Sequence, residues 1–192
     1  MSFHFRLACL VLAAGLVRIA LPALAHESPH GAGHNGCEIR DDVVIHGTRQ
    51  SRDIALTFDA CPTRLVPGFA AEIVDYLAKE DIPATFFVSG RWAEAYAEAL
   101  RQVADVPFFA IALHGYRHHR LNGASPAAML AEIEDGRHAL DKLGVRSQPL
   151  FRPPFGDHPA ALAALARRAG VTPVLWDVAP GDPSPQEFRG GH

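Results

Sequence analysis

The sequence predicts an α/β protein with parallel strands, and three observations carry that expectation. Short apolar runs of strand length alternate with stretches whose apolar residues recur at helical spacing. No Asn-Gly type hairpin signal separates these units, so the strands read as repeated βαβ steps. The 192 residues, 48% of them hydrophobic, suffice for one domain with a sizeable core. A doubly wound sheet and a barrel both satisfy the pattern, and both place functional groups just past the C-terminal ends of the strands.

The first residues read as an address. "MSFHFR" carries a basic residue, "LACLVLAAGLV" is an apolar run of export-signal length, and Ala23-Leu24-Ala25 is a small-residue cleavage site. Arg18 interrupts the run before it reaches the roughly 20 residues that span a bilayer. The expectation is a signal peptide over residues 1–25, export to the periplasm or the medium, and no membrane span once it is removed. Residues 26–42 are expected to be a flexible His/Gly-rich lead-in. His26, His30 and His34 recur every fourth residue, but Gly and Pro among them oppose a helix. Residues 43–192 are the expected folded domain. Two cysteines remain after cleavage, Cys37 and Cys61, either bridged in an oxidising compartment or unrelated.

The elements follow in order. "IALTF" is a short buried strand, and "VPGFAAEIVDYLAKE" has Ile73, Val74 and Leu77 at helical spacing. "ATFFV" is a strand, "RWAEAYAEALRQVA" a helix and "FFAIAL" a strand. Ser125-Pro126 supplies an N-cap and a first-turn proline for the long helix "AAMLAEIEDGRHALDKL", which Gly144 closes. "PLFR" is a strand, "PAALAALARRA" a helix and "TPVLW" the last strand. A formal net charge of −3 argues against nucleic acid as the main partner, which would normally need a basic face.

Ionisable residues gather where the strands end. The first strand delivers Asp59, the third His114 and His118, the fourth Arg152, and the fifth Asp177 and Asp182. Each has an ordinary reading alone: a loop cap, surface imidazoles, a structural ion pair, a turn aspartate in "PGDP". His-x-x-x-His is also a fair metal pair, since a tight loop brings both imidazoles to one ion. Two prolines after Arg152 stiffen the backbone that aims its guanidinium. His119 and His158 read as solvent-facing.

Together these residues resemble the polysaccharide deacetylase family, which includes chitooligosaccharide and peptidoglycan deacetylases. The family's Thr-Phe-Asp-Asp is here Thr57-Phe58-Asp59-Ala60, and its His-Ser/Thr-x-x-His is His114-Gly115-Tyr116-Arg117-His118. Its Arg-x-Pro-x-Gly is Arg152-Pro153-Pro154-Phe155-Gly156, and its Trp and Asp are matched by Trp176 and Asp182. The likeness runs from about Asp53 to Asp182. It implies a distorted (β/α)7-type barrel of parallel strands and removal of N-acetyl groups from amino sugars with the help of a divalent metal ion, zinc or similar. It implies that His114 and His118 hold the metal and Asp59 acts as general base. Arg152 would orient Asp59, and Asp182 would hold Arg152. Pro154, Phe155 and Trp176 would meet a glycan substrate. The alternatives are a carbohydrate-binding relative without turnover and an amidase for a small C–N substrate.

Two positions depart from the family pattern. Ala60 stands where the family carries an acidic metal ligand, so Asp59, His119 or a group from outside the chain would have to replace it. The family's last strand and its Leu-x-His motif have no counterpart in "EFRGGH", and His192 does not take that role. The expected barrel is therefore incomplete at the C-terminus.

Overall fold

The computed structural model describes residues 37–62 and 70–179. The signal-peptide segment, the three spaced histidines, Asp182 and His192 lie outside the described residues. None of the described helices is long and apolar enough to cross a membrane.

The described chain opens on a hairpin, where β1 (Glu38–Arg40) pairs antiparallel with β2 (Val43–His46). The last part of the expected flexible lead-in is therefore a strand. The turn is Asp41-Asp42, with φ of 49° and 62°. Two-residue hairpin loops need such left-handed residues, and the short polar side chain of Asp tolerates the region. Asp-Asp does this work here in place of Asn-Gly. Cys37 is buried and Cys61 half-buried.

Five parallel strands follow in chain order. They are β3 (Thr57–Ala60), β4 (Ala84–Val88), β5 (Phe109–Leu113), β6 (Leu150–Phe151) and β7 (Thr172–Pro173). A doubly wound sheet reverses direction at a switch point, whereas this sheet adds each strand to the same side, as a barrel wall does. Among the described residues β3 and β7 do not pair with each other, and Val174, the residue after β7, instead forms a bridge to Val44 of β2.

The connecting helices are α1 (Ala71–Lys79), α2 (Gly90–Ala95), α3 (Ala97–Ala104), α4 (Pro126–Lys142) and α5 (Leu162–Arg168). The single helix expected over 91–104 is broken at Tyr96, whose φ of −124° and ψ of 41° are not helical. The α4 start is as expected: the Ser125 hydroxyl accepts the Ala128 N–H at 3.2 Å, with Pro126 in the first turn.

Strand pleating sorts the core into two layers. Phe86, Val88, Ile111, Leu113 and Phe151 face the helices and join Leu100, Ile133, Leu140 and Leu162 in the main cluster. Phe58 stacks on Phe86 at 5.3 Å within this layer. Burying each such side chain contributes about 1.5–3 kcal/mol. The alternate positions Phe87, Ala112 and Leu150 form a small second cluster with Val174 on the other face of the sheet. One pleat beyond that cluster, the same face carries polar side chains.

Candidate active site

Asp59, His114 and Arg152 continue the second face by strict alternation. Asp59 pairs across the ladder with Phe87, His114 lies two residues beyond Ala112, and Arg152 two beyond Leu150. Three residues far apart in sequence thus reach one rim. The Asp59 carboxylate accepts from Arg152 Nη1 at 2.7 Å through Oδ1. Its Oδ2 lies 3.6 Å from His114 Nε2. The side chain of Asp59 is one-third exposed, while that of Arg152 is 4% exposed.

Arg152 is held on several sides. Nη1 also donates to Thr57 Oγ1 at 2.9 Å, and Nη2 donates to the Leu175 carbonyl at 3.2 Å. The guanidinium lies 3.9 Å over the Phe87 ring, a cation–π arrangement out of water. Its Nε is buried and has no hydrogen-bond partner among the described residues.

The His114 ring is oriented from behind. Nδ1 meets the Arg152 carbonyl oxygen at 2.8 Å, and since a carbonyl only accepts, Nδ1 carries the proton. Burial pushes the His114 pKa down, opposed by the Asp59 charge. The neutral ring then turns the Nε2 lone pair toward Asp59, so the 3.6 Å contact is not an ion pair. The His118 ring lies 4.8 Å from that of His114. Its pKa is pushed down to about 4, first by burial and then by His114, with Asp59 opposing. His118 has a φ of 61°, an uncommon conformation for a residue other than glycine.

Aromatic groups flank these four residues. Phe155 is half exposed, with the His118 ring 4.6 Å to one side and the Arg120 guanidinium 4.4 Å from its centre. Trp176 is 43% exposed and covers Gly156, where a Cβ would come within 2.9 Å of the indole. Pro154 does not fit the cleft-lining role expected of it. It is fully buried against the His-bearing loop and offers no surface to a sugar. Asp177 pairs with Arg49 at 2.8 Å on the surface. His158 is exposed and contacts the Gly156 carbonyl, and His119 is exposed beside Glu132.

Two buried carboxylates were not singled out from sequence. Glu132 accepts from the N–H groups of Tyr116 and Arg117 at 2.9–3.2 Å. Asp157 accepts from Leu121 N–H at 3.0 Å, Asn122 N–H at 3.2 Å, the Asn122 amide at 2.9 Å and Arg120 at 3.2 Å. Glu132 had a signal, because it falls on the buried stripe of α4 between Met129 and Gly136. Asp157, in a loop, had none. A hollow of about 380 Å³ lined by Glu94, Tyr116, Asp135 and His138 contains none of the four rim groups.

The donor set can be tested against the divalent ion that the resemblance implies. Ala60 has no ligand atom and packs against the main hydrophobic cluster. Among the described residues no three His, Cys, Asp or Glu side chains group as a metal cage. Arg152 already occupies one Asp59 oxygen. Two imidazoles remain, one protein ligand short of a resident site, so the residues present do not fit such a cage.

A family model described as polysaccharide deacetylase matches residues 46–174, which include all four rim residues. The chain belongs to the polysaccharide deacetylase family. A chitooligosaccharide deacetylase of Rhizobium leguminosarum bv. trifolii is 32% identical over 68% of this chain and 59% of its own length. A family 4 carbohydrate esterase from Streptomyces lividans, solved with acetate, superposes with a TM-score of 0.58 at 30% identity, covering 65% of this chain and 62% of that one. The chain thus spans less than two thirds of these members of the family. A carbohydrate esterase family 4 pseudoenzyme from Bacillus anthracis gives a TM-score of 0.64 at 18% identity over 72% of this chain and 48% of its own. That likeness is one of fold alone, and it shows that this fold is also found without the activity.

Proposed function

We infer that this protein hydrolyses the acetamide of N-acetylated amino sugars in an oligosaccharide or polysaccharide, with Asp59 as general base. The observation that carries the reading is the Asp59 carboxylate at the rim, fixed through one oxygen by Arg152 and open through the other. Asp59 takes a proton from a water attacking the acetamide carbonyl. The tetrahedral intermediate collapses with cleavage of the C–N bond as the proton held by Asp59 passes to the departing nitrogen, which restores the carboxylate. Acetic acid and a free amine leave, and one water is consumed. Arg152 fixes the direction of the base by a charge-assisted bond. Its buried Nε calls for an acceptor, the place the resemblance gives to Asp182. The exposed faces of Phe155 and Trp176 suit stacking against sugar rings.

Asp59 and water carry this chemistry, because His114 and His118 leave a divalent ion one protein ligand short. The first 25 residues support export, which would bring the protein to cell-wall or extracellular glycans. Ala60 favours a second reading, glycan binding without turnover. The test is acetate release from N-acetylated chitooligosaccharides and from peptidoglycan, alongside glycan binding. Acetate released by the parent and not by Asp59→Asn supports hydrolysis. Binding without acetate moves the assignment to the second reading, and a folded sample showing neither would falsify both.

A further inference from the structure

Both imidazoles sit on one five-residue loop, His114 to His118, and the peptide groups of that loop are spoken for on two sides. The Gly115 carbonyl accepts from Gly90 N–H at 2.9 Å, and the Tyr116 carbonyl from Arg91 N–H at 3.0 Å. On the opposite side Glu132 reaches out of α4. Its Oε2 accepts from Tyr116 N–H at 2.9 Å and from Arg117 N–H at 3.0 Å, while Oε1 lies 3.2 Å from the latter. Glu132 is only 7% exposed. A carboxylate so placed is tolerated because backbone donors replace its water.

The clamp requires close approach. A Cβ at Gly115, whose φ is 78°, would lie 2.6 Å from Glu132 Oε2. A Cβ at Gly136, one turn along α4, would lie 2.8 Å from the Gly115 carbonyl. Gly115 stands where the family motif carries Ser or Thr, and its missing side chain leaves the space that the Glu132 carboxylate fills in this chain. Immediately after the clamped peptides the chain enters the left-handed region at His118. Such a residue costs about 1 kcal/mol and persists only where its surroundings hold it.

We propose that Glu132 is a positioning residue for the rim: by holding the Tyr116 and Arg117 amides, its carboxylate sets the His118 imidazole against His114 and beside Asp59. The kinetic consequence rests on the amide-hydrolysis reading above, but the placement of the imidazole does not. Glu132→Gln is nearly isosteric and turns one acceptor into a donor facing N–H groups.

The experiment compares parent, Glu132→Gln, Glu132→Asp and Ile133→Val as full chains. It records imidazole nitrogen–proton spectra at fixed pH, thermal midpoints and acetate release. Ile133 is fully buried in the helix-side core, so its variant lowers stability without touching the loop. Glu132→Gln is expected to displace the His118 resonances and leave His114, held by the Arg152 carbonyl, in place. Its kcat is expected to fall about tenfold to a hundredfold with KM within about twofold. Glu132→Asp keeps both acceptor oxygens and is expected to show a smaller displacement, and it carries the test if the Gln variant does not fold. The proposal is overturned if folded Glu132 variants leave the His118 resonances where they are, or if Ile133→Val moves them as far. If the parent releases no acetate, the amide-hydrolysis reading fails and the imidazole spectra still decide the role of Glu132.

Discussion

Asp59 and Glu132 are two carboxylates on two sides of the same loop, and their surroundings divide the labour between them. Asp59 stands at the rim, one-third exposed, with one oxygen on Arg152 and the other facing an imidazole lone pair. Glu132 lies beneath the loop, buried, with both oxygens engaged by backbone N–H groups. A carboxylate that holds backbone donors on both oxygens is tied into the loop, whereas one with an oxygen free of donors can meet a water molecule. The difference teaches that burial alone does not mark a reactive acid. What marks it is an unfilled acceptor site beside a group that fixes its direction.

The largest effect should come from removing that fixing group. Arg152→Met is expected to lower acetate release about a hundredfold or more, since the base loses its orientation. It should cost only about 1–3 kcal/mol in a urea titration, because Asp59 can be rehydrated at the rim. A large loss of stability with activity intact would erase the contrast between the two carboxylates. Glu132→Ala should lower acetate release less than Arg152→Met does and weigh more on stability. It strands two buried amide donors and should cost about 2–3 kcal/mol by the same titration.

Gly136→Ala sharpens the lower side of the comparison. The added methyl meets the Gly115 carbonyl, and overpacking should cost about 1–3 kcal/mol. The gain in helix propensity, about 1 kcal/mol, offsets part of this. A net loss in urea midpoint is expected, and a gain would mean that the loop does not press on α4.

The rim should also respond to pH in a defined direction. His118 titrates near 4 in the folded protein and near 6.5 unfolded, so between these values the unfolded chain binds more protons. Stability should therefore be full above about pH 6.5 and fall as pH drops toward 4, with His114 adding in the same sense. Denaturation midpoints across this range check it, and His118→Gln should flatten the slope. The smallest effect expected is from a chelator. With one ligand missing from the cage, the thermal midpoint should move by no more than about a degree, whereas a tightly held ion would stabilise by several.

Much of the rim was legible because strands carry their own ruler. Once "IALTF", "FFAIAL" and "PLFR" are read as parallel strands, Asp59, His114 and Arg152 must end on one side of the sheet. The Ser125 cap and the long helix behind it were legible for a similar local reason. What escaped depends on contacts between distant segments. Glu132 meets amides 15 and 16 residues away, and Asp157 meets groups 35 to 37 residues away. Nothing local distinguishes such a carboxylate from a solvated one, apart from the apolar stripe around Glu132. The hairpin at Asp41-Asp42 escaped because its turn uses an uncommon pair, and the break at Tyr96 because the apolar spacing runs through it. Pro154 was placed in the cleft by its motif and lies in the interior by its packing.

The most direct measurement is acetate release by parent and Asp59→Asn, with glycan affinity and far-UV spectra recorded on the same samples. Asn keeps the shape and an acceptor oxygen for Arg152 but cannot act as base. The account predicts unchanged fold, affinity within about threefold, and release slower by about a thousandfold or more. An Asp59→Asn protein that frees acetate as fast as the parent would contradict it.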